Sequence, residues 1–417
     1  MDAVDHRYDW KDGLQRSENG KVLSNLANAL TAFRECPDLQ AIVAYNALEQ
    51  QIILCRAVPG SVDDYVSRGG KKPLKPFARR PLSDPDVIGL TEFLQRQMAA
   101  ATGRENVASA IELIAREYRY DPLVDFLTGL RWDGAPRVNT WLKTHLGADS
   151  DDEAYLAAVG KMVLVSLVAR ALDPGCQADH MMILEGGQGT GKSSACRILG
   201  GEWFSDSLPD LSQAKDASQH LRGKWLIEIA ELSAFNRAEA HQLKAFCTRR
   251  TERYRPPYGR LEVVEARRVI FIGSTNSSTY LRDETGNRRF WPVKTGAINL
   301  AGLAQDRDQL FAEAVALYRK GEPWWPNGDF EQEYIAPQQD ERMVIDAWCD
   351  PIAEWLEGKD VVTQYDVLLL ALGVPVGSMN PKATERVRQI MTSIGWVPCK
   401  AAVGSRRKQW KRAGHIY

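Results

Sequence analysis

The 417-residue chain has no surplus of charge: 53 lysines and arginines stand against 54 aspartates and glutamates, a net charge of -1. That balance excludes a protein coated in basic charge, so any nucleic-acid contact has to come from local basic clusters. Cysteine is scattered rather than paired. Cys36, Cys55, Cys176, Cys196, Cys247, Cys349 and Cys399 form no CxxC pair, and no Cys/His set has zinc-ligand spacing. They read as buried, reduced thiols. Long hydrophobic runs are missing too. The longest, about Met162 to Leu172, is too short for a bilayer span and is broken by Ser166 and Arg170. The first ten residues include Asp2, Asp5, His6, Arg7 and Asp9 where a signal peptide needs an apolar core. The expectation is a cytoplasmic protein with no membrane partner. Neither an internal repeat nor a low-complexity tract is found.

What is present is the balance of a globular protein, 44% hydrophobic and 26% charged, in a chain long enough for two or three domains. Four regions are expected. Residues 1–82 mix helical and extended patterns, with a helix around Leu23 to Phe33, a strand or buried turn at Gln51 to Cys55, and a Gly/Pro/Lys-rich linker at Ser67 to Pro76. Residues 83–177 have apolar positions at three- and four-residue steps over Asp86 to Ala101, Arg104 to Tyr118 and Asp152 to Ala171, which predicts helices. Residues 178–330 alternate short apolar runs with helical stretches, which predicts a parallel sheet wrapped by helices. Residues 331–417 predict helices and a short ribbon with a basic tip at Arg406, Arg407, Lys408, Lys411 and Arg412.

The strongest local signal is GGQGTGKS, residues 186–193, which fits G-x-x-x-x-G-K-[ST] in full. Gly186, Gly187, Gln188, Gly189, Thr190 and Gly191 form a loop whose backbone amides can turn inward on phosphate oxygens. Lys192 brings a point charge to the β- and γ-phosphates of ATP, and Ser193 offers a hydroxyl to Mg²⁺. A strand at Met181 to Leu184 precedes the loop. The helix that follows takes in Ser194 and adds the positive end of its dipole.

Two further strands carry polar residues where ligands of open α/β sheets bind. WLIEIAE, Trp225 to Glu231, has two carboxylates. Glu231 at the end is read as the catalytic acid, placed to polarise water or to help Ser193 hold Mg²⁺. Glu228, three residues earlier, falls on the opposite face by the two-residue period and is read as support, with a structural ion pair as the alternative. VIFIGSTN, Val269 to Asn276, brings Asn276 to the same edge, where an amide can orient water. In DETGNRRFWP, Gly286 and Asn287 predict a tight turn. Arg288 or Arg289 is then a candidate to enter a neighbour's nucleotide site.

The stretch from Lys244 to Arg268 mixes Lys244, Arg249, Arg250, Arg253, Arg255 and Arg260 with Tyr254 and Tyr258. Cations that neutralise phosphates and rings that stack on bases suit single-stranded or forked DNA. Pro256, Pro257 and Gly259 place a hairpin tip among them. A solvated charged loop is the alternative.

Taken in order, GGQGTGKS, GKWLIEIAEL, KAFCTRRTERYRPPYGR, GSTN and LRDETGNRRFWPV resemble the virulence-associated E (VirE) family, a branch of the superfamily 3 helicases within the AAA+ ATPases. RWDGAPRVNTWL upstream and RDQLFAEAVALY downstream look similar as well, so the resemblance spans about residues 125 to 325. It implies an α/β P-loop NTPase core of AAA+ type, with a mainly helical N-terminal region. It also implies a homo-oligomeric ring, expected to be a hexamer, with ATP between subunits. Lys192 and Ser193 would serve phosphate and Mg²⁺, Glu231 would be the Walker B acid and Asn276 the sensor. An arginine from Arg288 or Arg289 would act in trans, and the hairpin from Arg253 to Tyr258 would grip DNA. The setting implied is replication of phage, prophage or island DNA. The chain departs from the pattern in carrying Glu228 and Glu231 rather than adjacent acids. It also shows no primase carboxylate cluster or zinc ligands in its first segment, so a primase would be a separate partner.

The last segment resembles a winged helix loosely, as a small α+β domain. Lys382 to Ile394 would be its recognition helix, Gly404 to Arg412 its wing, and Trp410 would suit nucleic-acid contact. The reading is an ATP-driven DNA helicase or translocase. The rivals are an ATP-switched initiation or loading factor that unwinds nothing, and a phage-interference ATPase directed at a protein.

Overall fold

The computed structural model describes residues 9–68, 76–149, 152–207, 214–255, 262–281, 286–344, 346–399 and 408–413. Two compact units are present, residues 1–278 with 283–341, and residues 279–282 with 342–417.

The first unit opens with α1 (Leu26–Glu35), whose N-terminus is capped by the Asn25 side chain on the Asn28 amide. Strands β1 (Val43–Asn46) and β2 (Gln51–Leu54) follow as an antiparallel pair. After α2 (Val62–Arg68), β3 (Arg80–Pro81) joins β2. Helix α3 (Asp84–Met98) starts as its Ser-Asp-Pro signal predicts, with Ser83 and Asp86 forming a capping box. The Arg80 guanidinium on Asp86 holds that carboxyl down at about 2. Helix α4 (Arg104–Glu117) and β4 (Arg119–Tyr120), parallel to β1, complete this part in the order β3-β2-β1-β4.

Helices α3 and α4 each turn one apolar stripe inward, Leu90 and Leu94 on α3, Val107 and Ile114 on α4. These stripes share one core with Trp10, Phe33, Leu39, Val43 and Leu54. A small sheet needs a helical layer to bury its face, and α3 and α4, beyond residue 83, supply it.

The next core is built on α5 (Pro122–Gly129), α6 (Trp141–Leu146), α7 (Glu153–Leu172) and a second sheet. In chain order come β5 (Met181–Glu185), α8 (Lys192–Gly200), β6 (Phe204–Ser205), α9 (Ala214–His220) and β7 (Leu226–Ile229). Helix α10 (Arg237–Cys247) leads into the hairpin strands β8 (Thr251–Tyr254) and β9 (Val263–Ala266), then β10 (Ile270–Thr275), β11 (Phe290–Lys294) and α11 (Leu300–Arg319). The sheet is parallel in the order β11-β5-β10-β7-β6. Helices cover both faces, which is why β5, β7 and β10 are apolar without alternation. Leu127, Leu146, Val163 and Leu167 pack with Met182, Trp225 and Trp291 in one core. The helices after residue 121 thus share their core with the sheet.

By length and composition α7 could cross a membrane, but 78% of its most apolar window is buried in the fold. Its Arg170 is fully buried and donates to the carbonyls of Arg267 and Ala178 at 3.2 Å each. Burial lowers this guanidinium's pKa to about 10.

In the second unit β12 (Val361–Thr363), β13 (Trp396–Cys399) and β14 (Gln409–Arg412) make an antiparallel sheet in the order β12-β14-β13. It packs on the helices Cys349–Leu356 and Pro381–Ser393. Trp410 is buried in that core rather than presented to a ligand, because β14 is the central strand and its inward positions are covered. Lys408, Lys411 and Arg412 are exposed, and Gly404, Arg406 and Arg407 lie outside the described residues.

Candidate functional site

Strand β5 ends at Glu185 and the chain turns through residues 186–191 into α8. The turn needs its glycines at particular places. Gly189 and Gly191 have φ of +76° and +97°, which side chains rarely adopt, and a Cβ on Gly186 would lie 2.6 Å from Thr295 Oγ1. The first amides of α8 have no partner inside the helix and sit at its positive end, above the loop.

Lys192 begins that helix and folds back over the loop. Its Nζ donates to the carbonyls of Gly186 and Gly187, both at 2.7 Å, and to Asn276 Oδ1 at 3.1 Å. Burial lowers the pKa of this ammonium, against a raising effect of Glu228. A cation held by three neutral acceptors is a good receiver for an anion.

Ser193 and the acidic strand meet beside it. Glu228, on β7, is 1% exposed. Its Oε1 accepts from Ser193 Oγ at 2.8 Å and from Ser274 Oγ at 2.7 Å. Glu231 is exposed at the cavity rim, past the end of the strand, with φ of +54°. Ser193 thus meets Glu228, the residue read as support, while β7 ends at Ile229 and the left-handed residue Glu231 redirects the chain at the rim.

These residues surround a cavity of about 390 Å³ that opens between residues 188–194, Ala230, Glu231, Ser233 and residues 274–276. Its size is that of a small-molecule site. Among the described residues no set of three or more His, Cys, Asp or Glu side chains forms a metal cluster. A divalent cation here would rest on Ser193 and the neighbouring carboxylate and draw its remaining ligands from a bound phosphate and water, which is how Mg²⁺ is usually held. The loop amides, Lys192 and Ser193 therefore fit a nucleotide triphosphate with Mg²⁺.

Arg288 and Arg289 lie elsewhere. They follow the turn at Gly286, with φ of +73°, at the start of β11. β11 runs parallel to β5 in register from Phe290 against Met181 to Lys294 against Glu185. The two arginines are thus one strand length, about 16 Å, from the glycine loop of their own chain. Arg288 is exposed, while Arg289 is half-buried with Nη1 3.4 Å from the Gly286 carbonyl.

The basic and aromatic stretch divides. Arg253 and Arg255 are exposed on the hairpin, Arg253 being 3.9 Å from Glu262. Arg249 lies over the Phe246 ring, and Arg250 donates to the Gly175 carbonyl. Two members expected to touch DNA are inside the protein. Lys244 is 6% exposed and donates to Asn287 Oδ1 at 3.0 Å. Tyr254 is buried, donates to Glu265 at 2.8 Å, and has Arg222 over its ring. Its phenol pKa is raised, chiefly by burial. Tyr258 and Arg260 lie outside the described residues.

Ser274 was not singled out from sequence. The signal is there once the register is known: Ile272 pairs with Glu228, so Ser274 is the next residue on that face.

A search of curated proteins finds no match. Among solved structures, the apo structure of the NrS-1 C terminal region aligns at 13% identity with a TM-score of 0.47, covering 89% of this chain and 96% of that one. The A form apo structure of the same region aligns at 12% identity with the same TM-score. The model of the virulence-associated protein E-like domain matches residues 127–344, just over half of the chain and the whole of the cavity's lining. With that match, the chain belongs to the virulence-associated protein E-like domain family.

Proposed function

We propose that this protein is an Mg²⁺-dependent ATPase of the superfamily 3 helicase kind, a ring-forming DNA motor serving replication of phage or other mobile DNA. The observation that carries the reading is the convergence of Lys192, Ser193, Glu231 and Asn276 on one cavity at the carboxyl ends of parallel strands, with buried Glu228 accepting from Ser193. Loop after β5, acid on β7 and asparagine after β10 support an AAA+ core.

ATP would supply a phosphoanhydride whose cleavage can drive motion. Lys192 would hold the phosphate oxygens in place of its carbonyl partners. Ser193, its O–H on Glu228, would be the hydroxyl that holds the metal. Glu231, at the exposed rim, holds and deprotonates water, and Asn276 fixes its direction. Distance keeps Arg288 and Arg289 from their own loop, which favours action on a neighbouring subunit. Exposed Arg253 and Arg255 carry the DNA contact.

Two outcomes are expected. Single-stranded DNA stimulates phosphate release by the full chain, and Arg253→Ala with Arg255→Ala removes the stimulation while leaving the DNA-free rate intact. Hydrolysis indifferent to DNA would sink the motor reading and favour a protein-directed ATPase or an assembly switch. Ser274→Ala is expected to slow hydrolysis about tenfold by freeing the Glu228 carboxylate, with nucleotide affinity unchanged. An unaltered rate would remove Ser274 from the site.

A further inference from the structure

The interior position of Lys244 calls for a role other than touching DNA. The residue sits one turn from the end of α10, and its stem passes under the Gly286 turn, where a Cβ would lie 3.6 Å from Lys244 Cδ. Its ammonium reaches Asn287 Oδ1 at 3.0 Å and lies 5.5 Å from the centre of the Phe290 ring. Asn287 and Phe290 bracket Arg288 and Arg289 in sequence, and both are buried. Helix α10 also leads, through three intervening residues, into β8 of the hairpin. One lysine therefore grips both ends of the arginine turn from the helix that carries the hairpin.

Burying an ammonium costs free energy, and an apolar side chain of the same length would fill this space without that cost. What the ammonium adds is direction, through a hydrogen bond and a cation–π contact that both fix the turn. We propose that Lys244 is a positioning residue that sets the arginine turn and links it to the hairpin-bearing helix. A load on the hairpin then reaches the arginines through α10. The proposal rests on the reading that Arg288 or Arg289 acts on a neighbour's nucleotide.

Lys244→Met and Asn287→Ala, made in the full chain, cut the contact from its two ends. In nucleotide-free protein, hydrogen exchange at the amides of residues 288–290 is expected to rise about tenfold in both, with the amides of β5 unchanged. With ATP, kcat is expected to fall about 10- to 100-fold at unchanged KM, because a shift of about 1 Å at a catalytic group has that cost. The double variant is expected to be no worse than either single one. Mixing Lys244→Met subunits with Lys192→Ala subunits is expected to restore hydrolysis, since each supplies what the other lacks.

Three results separate the possibilities. Wild-type exchange and kcat in Lys244→Met, alongside a slow Arg288→Ala or Arg289→Ala, would overturn the assignment of Lys244 alone. Raised exchange throughout the sheet, with no rescue on mixing, would make Lys244 a structural residue and overturn it as well. Full hydrolysis in both arginine variants would overturn the trans-arginine reading, and the function given to Lys244 with it.

Discussion

Lys192→Met is expected to weaken nucleotide binding at least about tenfold and to slow hydrolysis by about 10²- to 10³-fold, the usual range for removing a charge-stabilising donor. Among the described residues the ammonium is the one side-chain cation lining the cavity, above carbonyls that cannot replace it. The variant should remain folded. Burial already lowers the pKa of Lys192, so folding disfavours its charge, and methionine removes that penalty while keeping the stem. Titration of a fluorescent ATP analogue with Mg²⁺, beside a thermal melt, checks both halves. Wild-type affinity in a folded variant would remove the cavity as the nucleotide site.

The second large effect concerns stability at the base of the hairpin. Glu252, on β8, accepts from Arg267 and from Ser218 Oγ at 2.7 Å. Arg267 has no exposed side-chain surface and packs against the rings of Phe246 and Phe271. Its pKa is lowered by burial and raised again by Glu252. Glu252→Ala would strand that charge with the Phe246 carbonyl as its remaining side-chain acceptor among the described residues. A loss of about 3–5 kcal/mol is expected in urea unfolding, the cost of breaking a buried pair from one side. A loss below about 1 kcal/mol would mean that water or a neighbouring group reaches Arg267. A double change of Glu252 and Arg267 to apolar residues should recover much of the loss, which separates the pair's net worth from the stranded charge.

The site was legible wherever its chemistry is local in sequence. GGQGTGKS carries its own geometry, because glycine at 189 and 191 answers a backbone demand made within the loop itself. The strand ends at Glu231 and Asn276 were legible as polar residues closing apolar runs. What could not be read was any property set by a partner distant in the chain. Ser193 meets Glu228 only because β7 lies two strands from β5, with β10 between them. Lys244 and Tyr254 were counted as surface groups by residue type, but Lys244 flanks the stripe of Leu243, Phe246 and Cys247 that α10 turns inward. The Lys/Gly/Pro-rich segment before Phe77 reads as a linker, yet the chain on either side of it feeds one core, which no local signal announces.

Arg170 also bears on the order in which the molecule assembles. It closes an apolar helix that emerges from synthesis before the sheet it will cover, and among the described residues its guanidinium finds carbonyls at Ala178 and Arg267. The second of these lies almost a hundred residues further along, just ahead of β10. Docking α7 before residue 267 is made would bury this guanidinium short of one of those two carbonyls, so the helix and the segment ahead of β10 satisfy each other's polar groups only together.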